Sequence, residues 1–151
     1  LQDFAERDPE LMARWEAVTT ELADPELPME EKNERQKQFN VEVMFPRLLA
    51  DPEANAGLLA EIYRDGGFRW RHGRYSEAET PVFDAREDLA RIPVRSLVVY
   101  GVHDMMPPAK AEEMHALLPD SILVAFESSG HYAPLEEPER FVSTVVEFIG
   151  D

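Results

Sequence analysis

The sequence contains no cysteine among its 151 residues, and it carries little basic charge. The absence of cysteine excludes a disulfide framework, a thiolate metal site and a cysteine nucleophile. Lysine and arginine together number 15 against 31 aspartates and glutamates, which gives a formal net charge of −16. This charge disfavours binding to nucleic acid or to an anionic membrane surface, because both require basic side chains.

Long apolar runs are also missing. No stretch approaches the roughly 18 residues of a membrane span, and no basic segment precedes an apolar one as in secretory signals. We therefore expect a cytoplasmic protein with no membrane partner. Because the first residue is Leu1 and not methionine, we also expect a processed chain or part of a longer one. The acidic excess indicates either a solvated surface or an acidic pocket that selects a cationic substrate.

The first half of the chain predicts helices. Asp8 before Pro9 is a typical helix start, with an N-cap acid and proline at the first helical position. A second helix is expected over residues 29–45, where Pro46 should end or kink it. A third should begin at Asp51 by the same capping logic. We assign residues up to 83 to a helical cap domain.

The pattern changes from Ile92 onward to strand, loop and helix, repeated twice. Residues 97–100 and 122–126 are continuous apolar runs, which are typical of strands buried on both faces of a parallel sheet. Helices are expected to start near Pro107 and at Pro138. This alternation predicts an α/β fold, and we assign residues 84–151 to its core.

Two polar side chains follow the two predicted strands. Asp104 comes soon after the first strand and His131 after the second, and active sites in parallel sheets lie beyond these strand ends. In one type of catalytic triad the nucleophile comes first along the chain, then the acid, then the histidine. Asp104 and His131 have the order of the last two members of such a triad. The G-x-S-x-G turn that would carry the nucleophile does not occur before Asp104.

Other roles remain open for these residues. Asp104 could cap the helix that follows it, and His131 could be an ordinary loop histidine. Together with His103 they could form a two-histidine, one-carboxylate metal site, although adjacent residues on an extended segment point apart. Ser128 and Ser129 lack the strained strand–turn–helix geometry of a nucleophile. The pattern favours the triad roles, with no metal and no cofactor.

Residues 92–150 resemble the C-terminal part of an α/β-hydrolase, and the resemblance implies that Asp104 is the triad acid and His131 the general base. The helical block before them resembles the cap that many members insert. In length, acidity and its Gly66-Gly67-Phe68 and Trp70 it looks most like that of the proline iminopeptidase-type hydrolases. The residues that match the core are Pro93, the strand ending at Gly101-Val102-His103-Asp104, Pro107, Leu118-Pro119, Gly130-His131, the tail Glu136-Glu137-Pro138-Glu139-Arg140-Phe141 and Phe148.

The resemblance implies two parallel strands with helices, preceded by the cap, and a missing nucleophile, oxyanion loop and remaining strands. We therefore expect an N-terminal partner chain of the same hydrolase to supply them. The implied reaction is acyl transfer to water from a small-molecule or peptide substrate, with an aminopeptidase as the first hypothesis. An esterase, lactonase or C–C hydrolase, an enzyme with an aspartate nucleophile, and a non-catalytic ligand receptor remain alternatives.

Five residues are candidates for the substrate pocket. Phe45, Phe68 and Trp70 could form an apolar wall contributed by the cap, and Met105 and Tyr132 flank the two triad positions. Each of them could equally pack within the protein.

Overall fold

The computed structural model describes residues 8–55, 57 and 84–150. These residues belong to two compact units, the first formed by residues 8–47 with residue 57 and the second by residues 48–55 together with 84–150. The segment 48–55 falls inside the predicted cap range but belongs to the second unit. Most of the later cap range lies outside the described residues, so the predicted domain boundary stays a prediction.

The first unit begins with helix α1, Pro9–Leu22. The Asp8 side chain accepts a hydrogen bond from the backbone N–H of Leu11 at 2.9 Å, which confirms the predicted helix start. Leu11 and Leu22 are fully buried. The Trp15 ring meets Phe39 of the following helix edge-on, with ring centroids 5.6 Å apart. The apolar face of α1 therefore holds this unit together.

Helix α2, Met29–Phe39, continues into a wider π-helical segment, Asn40–Met44, and then into a 3-10 helix, Phe45–Leu48. The regular α-helix therefore ends at Phe39, before Pro46, and the chain passes Pro46 in other helical forms, so the proline does not end the helical segment. A proline within an α-helix clashes with the carbonyl four residues earlier. Here the N–H of Phe45 donates to the Asn40 carbonyl, five residues back, so the turn is wide enough for the chain to pass the proline.

The second unit contains the predicted alternation of strands and helices, which confirms the α/β fold class. The elements of this unit are α3 (Arg86–Leu89), β1 (Ser96–Gly101), α4 (Pro108–Leu117), β2 (Ser121–Phe126), α5 (Ala133–Glu136) and α6 (Pro138–Gly150). Strand β1 pairs with β2 in parallel, in a register that runs from Ser96 opposite Ser121 to Gly101 opposite Phe126. The short helix α5 has no counterpart in the sequence prediction.

At the carboxyl end of the sheet, Phe126 is fully buried, and the centroid of its ring lies 6.1 Å from that of Phe141 on α6. The segment 48–55 also starts a helical turn, because the Asp51 side chain accepts a hydrogen bond from Ala54 N–H at 2.9 Å. None of the helices that the structure describes is both long and apolar enough to cross a lipid bilayer.

Candidate active site

Asp104 and His131 lie in direct contact at the carboxyl ends of β1 and β2. The two carboxylate oxygens of Asp104 lie 3.1 and 3.0 Å from Nδ1 of His131. The Asp104 side chain is 13% exposed and the His131 side chain 45% exposed, so the acid is shielded while the imidazole remains accessible. An N–H at Nδ1 donated to the carboxylate leaves Nε2 as the nitrogen that can accept a proton.

The loop after β1 holds the Asp104 carboxylate in place. The backbone N–H of Asp104 donates to the Gly101 carbonyl at 3.2 Å, and the carboxylate oxygen Oδ1 accepts the N–H of Met106 at 2.9 Å. Helix α4 is capped by Pro107, without a side-chain hydrogen bond. Asp104 therefore turns its carboxylate toward its own loop and His131, and it does not cap the helix.

The loop that carries His131 packs tightly against the end of β1. The N–H of His103 donates to the Ser129 carbonyl at 3.0 Å, and a Cβ at Gly101 would overlap the carbonyl oxygens of Ser129 and Gly130. Glycine at position 101 is therefore required for the two loops to approach each other. This approach brings the acid and the histidine within hydrogen-bonding distance.

Glu137 holds the same loop from the other side. Its carboxylate accepts hydrogen bonds from the Ser129 hydroxyl at 2.6 Å and the Ser128 N–H at 3.1 Å, and it pairs with Arg140 at 3.1 Å. The bond from Ser129, followed by those from Arg140 and Ser128, lowers the pKa of Glu137. Ser129 is fully buried and donates its hydroxyl proton to this carboxylate, which is consistent with its exclusion as a nucleophile.

Because the pKa of Glu137 is lower in the folded state, its carboxylate stabilises the fold above the ordinary value of 4.5, and this stabilisation is lost as the pH falls through the folded value. We expect Glu137→Gln to lower the free energy of unfolding at neutral pH, and this difference from wild type to shrink as the pH falls below 4.5 and through the lowered pKa of Glu137. Urea denaturation at a series of pH values measures this difference. A difference that is independent of pH would contradict the assignment.

A pocket of about 280 Å³ opens beside the Asp104–His131 pair in the second unit. Its walls are mostly apolar, and the polar side chains that line it include Asp104, His131 and Lys110 of α4. The other lining residues are Val98, Val99, Tyr100, Gly101, Met106, Pro107, Ala111, Met114, Ala133 and Pro134.

The five predicted pocket residues fall in different places. The Tyr132 ring lies edge-on to that of His131, with centroids 5.3 Å apart, and Met105 follows Asp104 in the half-buried part of its loop. Phe45 is 5% exposed and belongs to the first unit. Phe68 and Trp70 lie outside the described residues. Substrate contacts for all five stay predictions.

The metal alternative finds no support in the part of the chain that the structure describes. No group of three or more histidine, aspartate or glutamate side chains is arranged there to hold a metal ion. His115, on α4, lies with Nδ1 2.7 Å from the Ser121 hydroxyl, at the opposite end of the sheet from His131.

Sequence reasoning missed two contributors to this site. The Leu48 carbonyl accepts the backbone N–H of His131 at 2.6 Å, and the Glu136 carboxylate bonds the backbone N–H groups of Ala50 and Gly130 at 2.7 and 2.8 Å. The sequence does show Glu136 as an acid five residues after the candidate base His131. No local pattern in the sequence indicates that Leu48 reaches this loop.

Comparison with known proteins shows which protein family the chain matches. The model of a family described as an alpha/beta hydrolase family matches residues 2–144. A proline iminopeptidase of Saccharolobus solfataricus is 34% identical over 67 residues, which are 44% of this chain and 22% of that protein. The chain thus covers only a small part of this curated relative.

Two solved structures share the fold. An enol-lactonase from Burkholderia xenovorans LB400 superposes with a TM-score of 0.68 at 22% identity, over 91% of this chain and 50% of that one. An esterase from Exiguobacterium antarcticum gives a TM-score of 0.61 at 26% identity, over 90% of this chain and 48% of that one. The chain therefore spans about half the length of these structures.

Proposed function

The chain belongs to the alpha/beta hydrolase family, and on that premise we propose that it supplies the acid and the base of a hydrolase whose nucleophile lies outside its 151 residues. The observation that carries the proposal is the contact of the Asp104 carboxylate with Nδ1 of His131 at 3.0 Å. This contact is the base–orienter half of the triad arrangement. It leaves Nε2 available to a nucleophile.

In the proposed reaction, Nε2 of His131 accepts the proton of a serine hydroxyl as the oxygen attacks the substrate carbonyl. The protonated imidazole then donates that proton to the leaving group when the tetrahedral intermediate collapses. A water molecule attacks the acyl-enzyme in the same way, with Nε2 again taking and returning one proton. Asp104 holds the Nδ1–H tautomer and stabilises the imidazolium in both steps.

We propose that a partner segment, the N-terminal part of the same hydrolase, supplies the nucleophile and the oxyanion hole. Two features of the second unit support this. In the described residues β1 has one neighbouring strand, so its other edge is free to pair. On α6, Val142, Val146 and Ile149 are 60, 64 and 75% exposed and lie on one helical face. These surfaces suit the additional strands and helices of a complete hydrolase sheet.

Our first substrate proposal is an amino-terminal peptide bond, as in the proline iminopeptidases. The 34% identity to one of them over 67 residues and the acidic charge, which suits a substrate with a free amine, support this proposal. An esterase or lactonase is the second candidate. The mostly apolar pocket that opens beside the Asp104–His131 pair favours it.

Prolyl p-nitroanilide and its N-acetyl derivative separate these candidates. An aminopeptidase should lose at least about tenfold in kcat/KM when the amine is acetylated, since a charge-assisted hydrogen bond contributes more than 1.4 kcal/mol. Equal rates on both, with faster turnover of p-nitrophenyl butyrate, would favour the esterase.

A fluorophosphonate probe tests the hydrolase proposal itself on the assembled protein. We expect the probe to label a serine of the partner segment, to leave Ser128 and Ser129 of this chain unlabelled, and to react far more slowly with the His131→Ala variant. Peptide mass spectrometry locates the label. A folded assembly that does not react would favour a ligand receptor of the same fold.

A further inference from the structure

The segment 48–50 lies directly against the loop that carries His131. The backbone N–H of His131 donates to the Leu48 carbonyl at 2.6 Å. A Cβ at Gly130 would overlap the same carbonyl oxygen, so a glycine is required for this approach. Two backbone segments about eighty residues apart in sequence therefore meet at the candidate base.

Glu136 joins these two segments with one carboxylate. Its Oε1 accepts the N–H of Ala50 at 2.7 Å, and its Oε2 accepts the N–H of Gly130 at 2.8 Å. Hydrogen bonds from N–H groups to a carboxylate are charge-assisted and are stronger than neutral ones. The carboxylate is partly buried, so water replaces these bonds poorly.

We infer that Glu136 is a positioning residue for His131, an inference that rests on the proposed hydrolase function. One oxygen fixes the N–H of Gly130, the residue directly before His131. The other fixes the segment whose Leu48 carbonyl accepts the N–H of His131 itself. Glu136 thus holds both backbone segments that meet at His131, while Asp104 orients the imidazole ring.

The adjacent acids Glu136 and Glu137 bind different parts of the loop that carries His131. The bonds of Glu137 go to Ser128 and Ser129, further from the base, and to Arg140 on α6. The bonds of Glu136 go to the residue before His131 and to its backbone partner segment. A misplacement of a catalytic group by about 1 Å can lower the rate about 10²-fold, so loss of Glu136 should appear in kcat.

The test uses the assembled hydrolase and an activated ester. We expect Glu136→Ala to lower kcat about 10²-fold with little change in KM, and the milder Glu136→Gln, which keeps one acceptor oxygen, to lower it about tenfold. The matched control is Glu139→Gln, an exposed acid on α6, which should leave kcat unchanged. If Glu136→Ala fails to fold, the kcat of Glu136→Gln alone tests the positioning role.

Two further measurements separate positioning from general destabilisation. In a His131→Ala background, Glu136→Gln should have little additional effect on kcat, because it acts through that histidine. Equal losses in both backgrounds, or a Glu136→Gln kcat within about twofold of wild type, would overturn the inference.

Hydrogen exchange gives a readout that does not depend on activity. The amide protons of Gly130 and His131 should exchange faster in Glu136→Gln, while that of Val124 in β2 should not change. If the wild type proves inactive, the hydrolase proposal fails, and the exchange rates still report whether Glu136 holds this loop. Unchanged exchange at both amides would refute the positioning role.

Discussion

Replacing Asp104 with asparagine should lower kcat of the assembled hydrolase by about 10⁴-fold, as the equivalent change does in serine proteases. The asparagine oxygen can still accept the N–H of Met106, which keeps the loop in its native form. Its NH₂ group would then donate to Nδ1 of His131 and favour the Nε2–H tautomer. In that tautomer Nε2 already carries a proton and cannot act as the base.

Steady-state kinetics on one activated ester measure this loss. Asp120→Asn is the matched control, because it makes the same change of charge at an exposed position at the opposite end of the sheet. Its kcat should equal that of wild type. A kcat for Asp104→Asn within about tenfold of wild type would exclude Asp104 as the orienting acid.

Replacing His131 with alanine should lower kcat by at least about 10²-fold, the smallest contribution typical of a general base. The backbone N–H that donates to the Leu48 carbonyl is retained, so the loop keeps this contact. The combined effect with Asp104→Asn should be much smaller than the product of the single effects, because both residues serve one proton transfer. Kinetics of the two single variants and the double variant measure this coupling.

A second histidine provides the control for this prediction. His103→Ala removes an exposed side chain beside Asp104 and keeps the backbone N–H that bonds Ser129. If the site worked through a metal held by both histidines, His103→Ala would also abolish activity and a chelator would inhibit the wild type. If His131→Ala stayed within about tenfold of wild type, the non-catalytic receptor would become the better proposal.

The amino-acid sequence by itself determined the elements whose signals are local. The helix start at Asp8 follows from one capping residue and the proline after it, and it forms as predicted. The two strands follow from continuous apolar runs. Because parallel strands end at the same edge of a sheet, Asp104 and His131 could be predicted to meet before any contact was known.

Only the tertiary structure decided how the base is held. Ala50 and Glu136 are 86 residues apart in sequence, and neither lies in a periodic pattern that would pair them. Their contact depends on the placement of the segment 48–55 in the second unit. Contacts between segments distant in sequence therefore determine how the base is held, and local propensity does not encode such contacts.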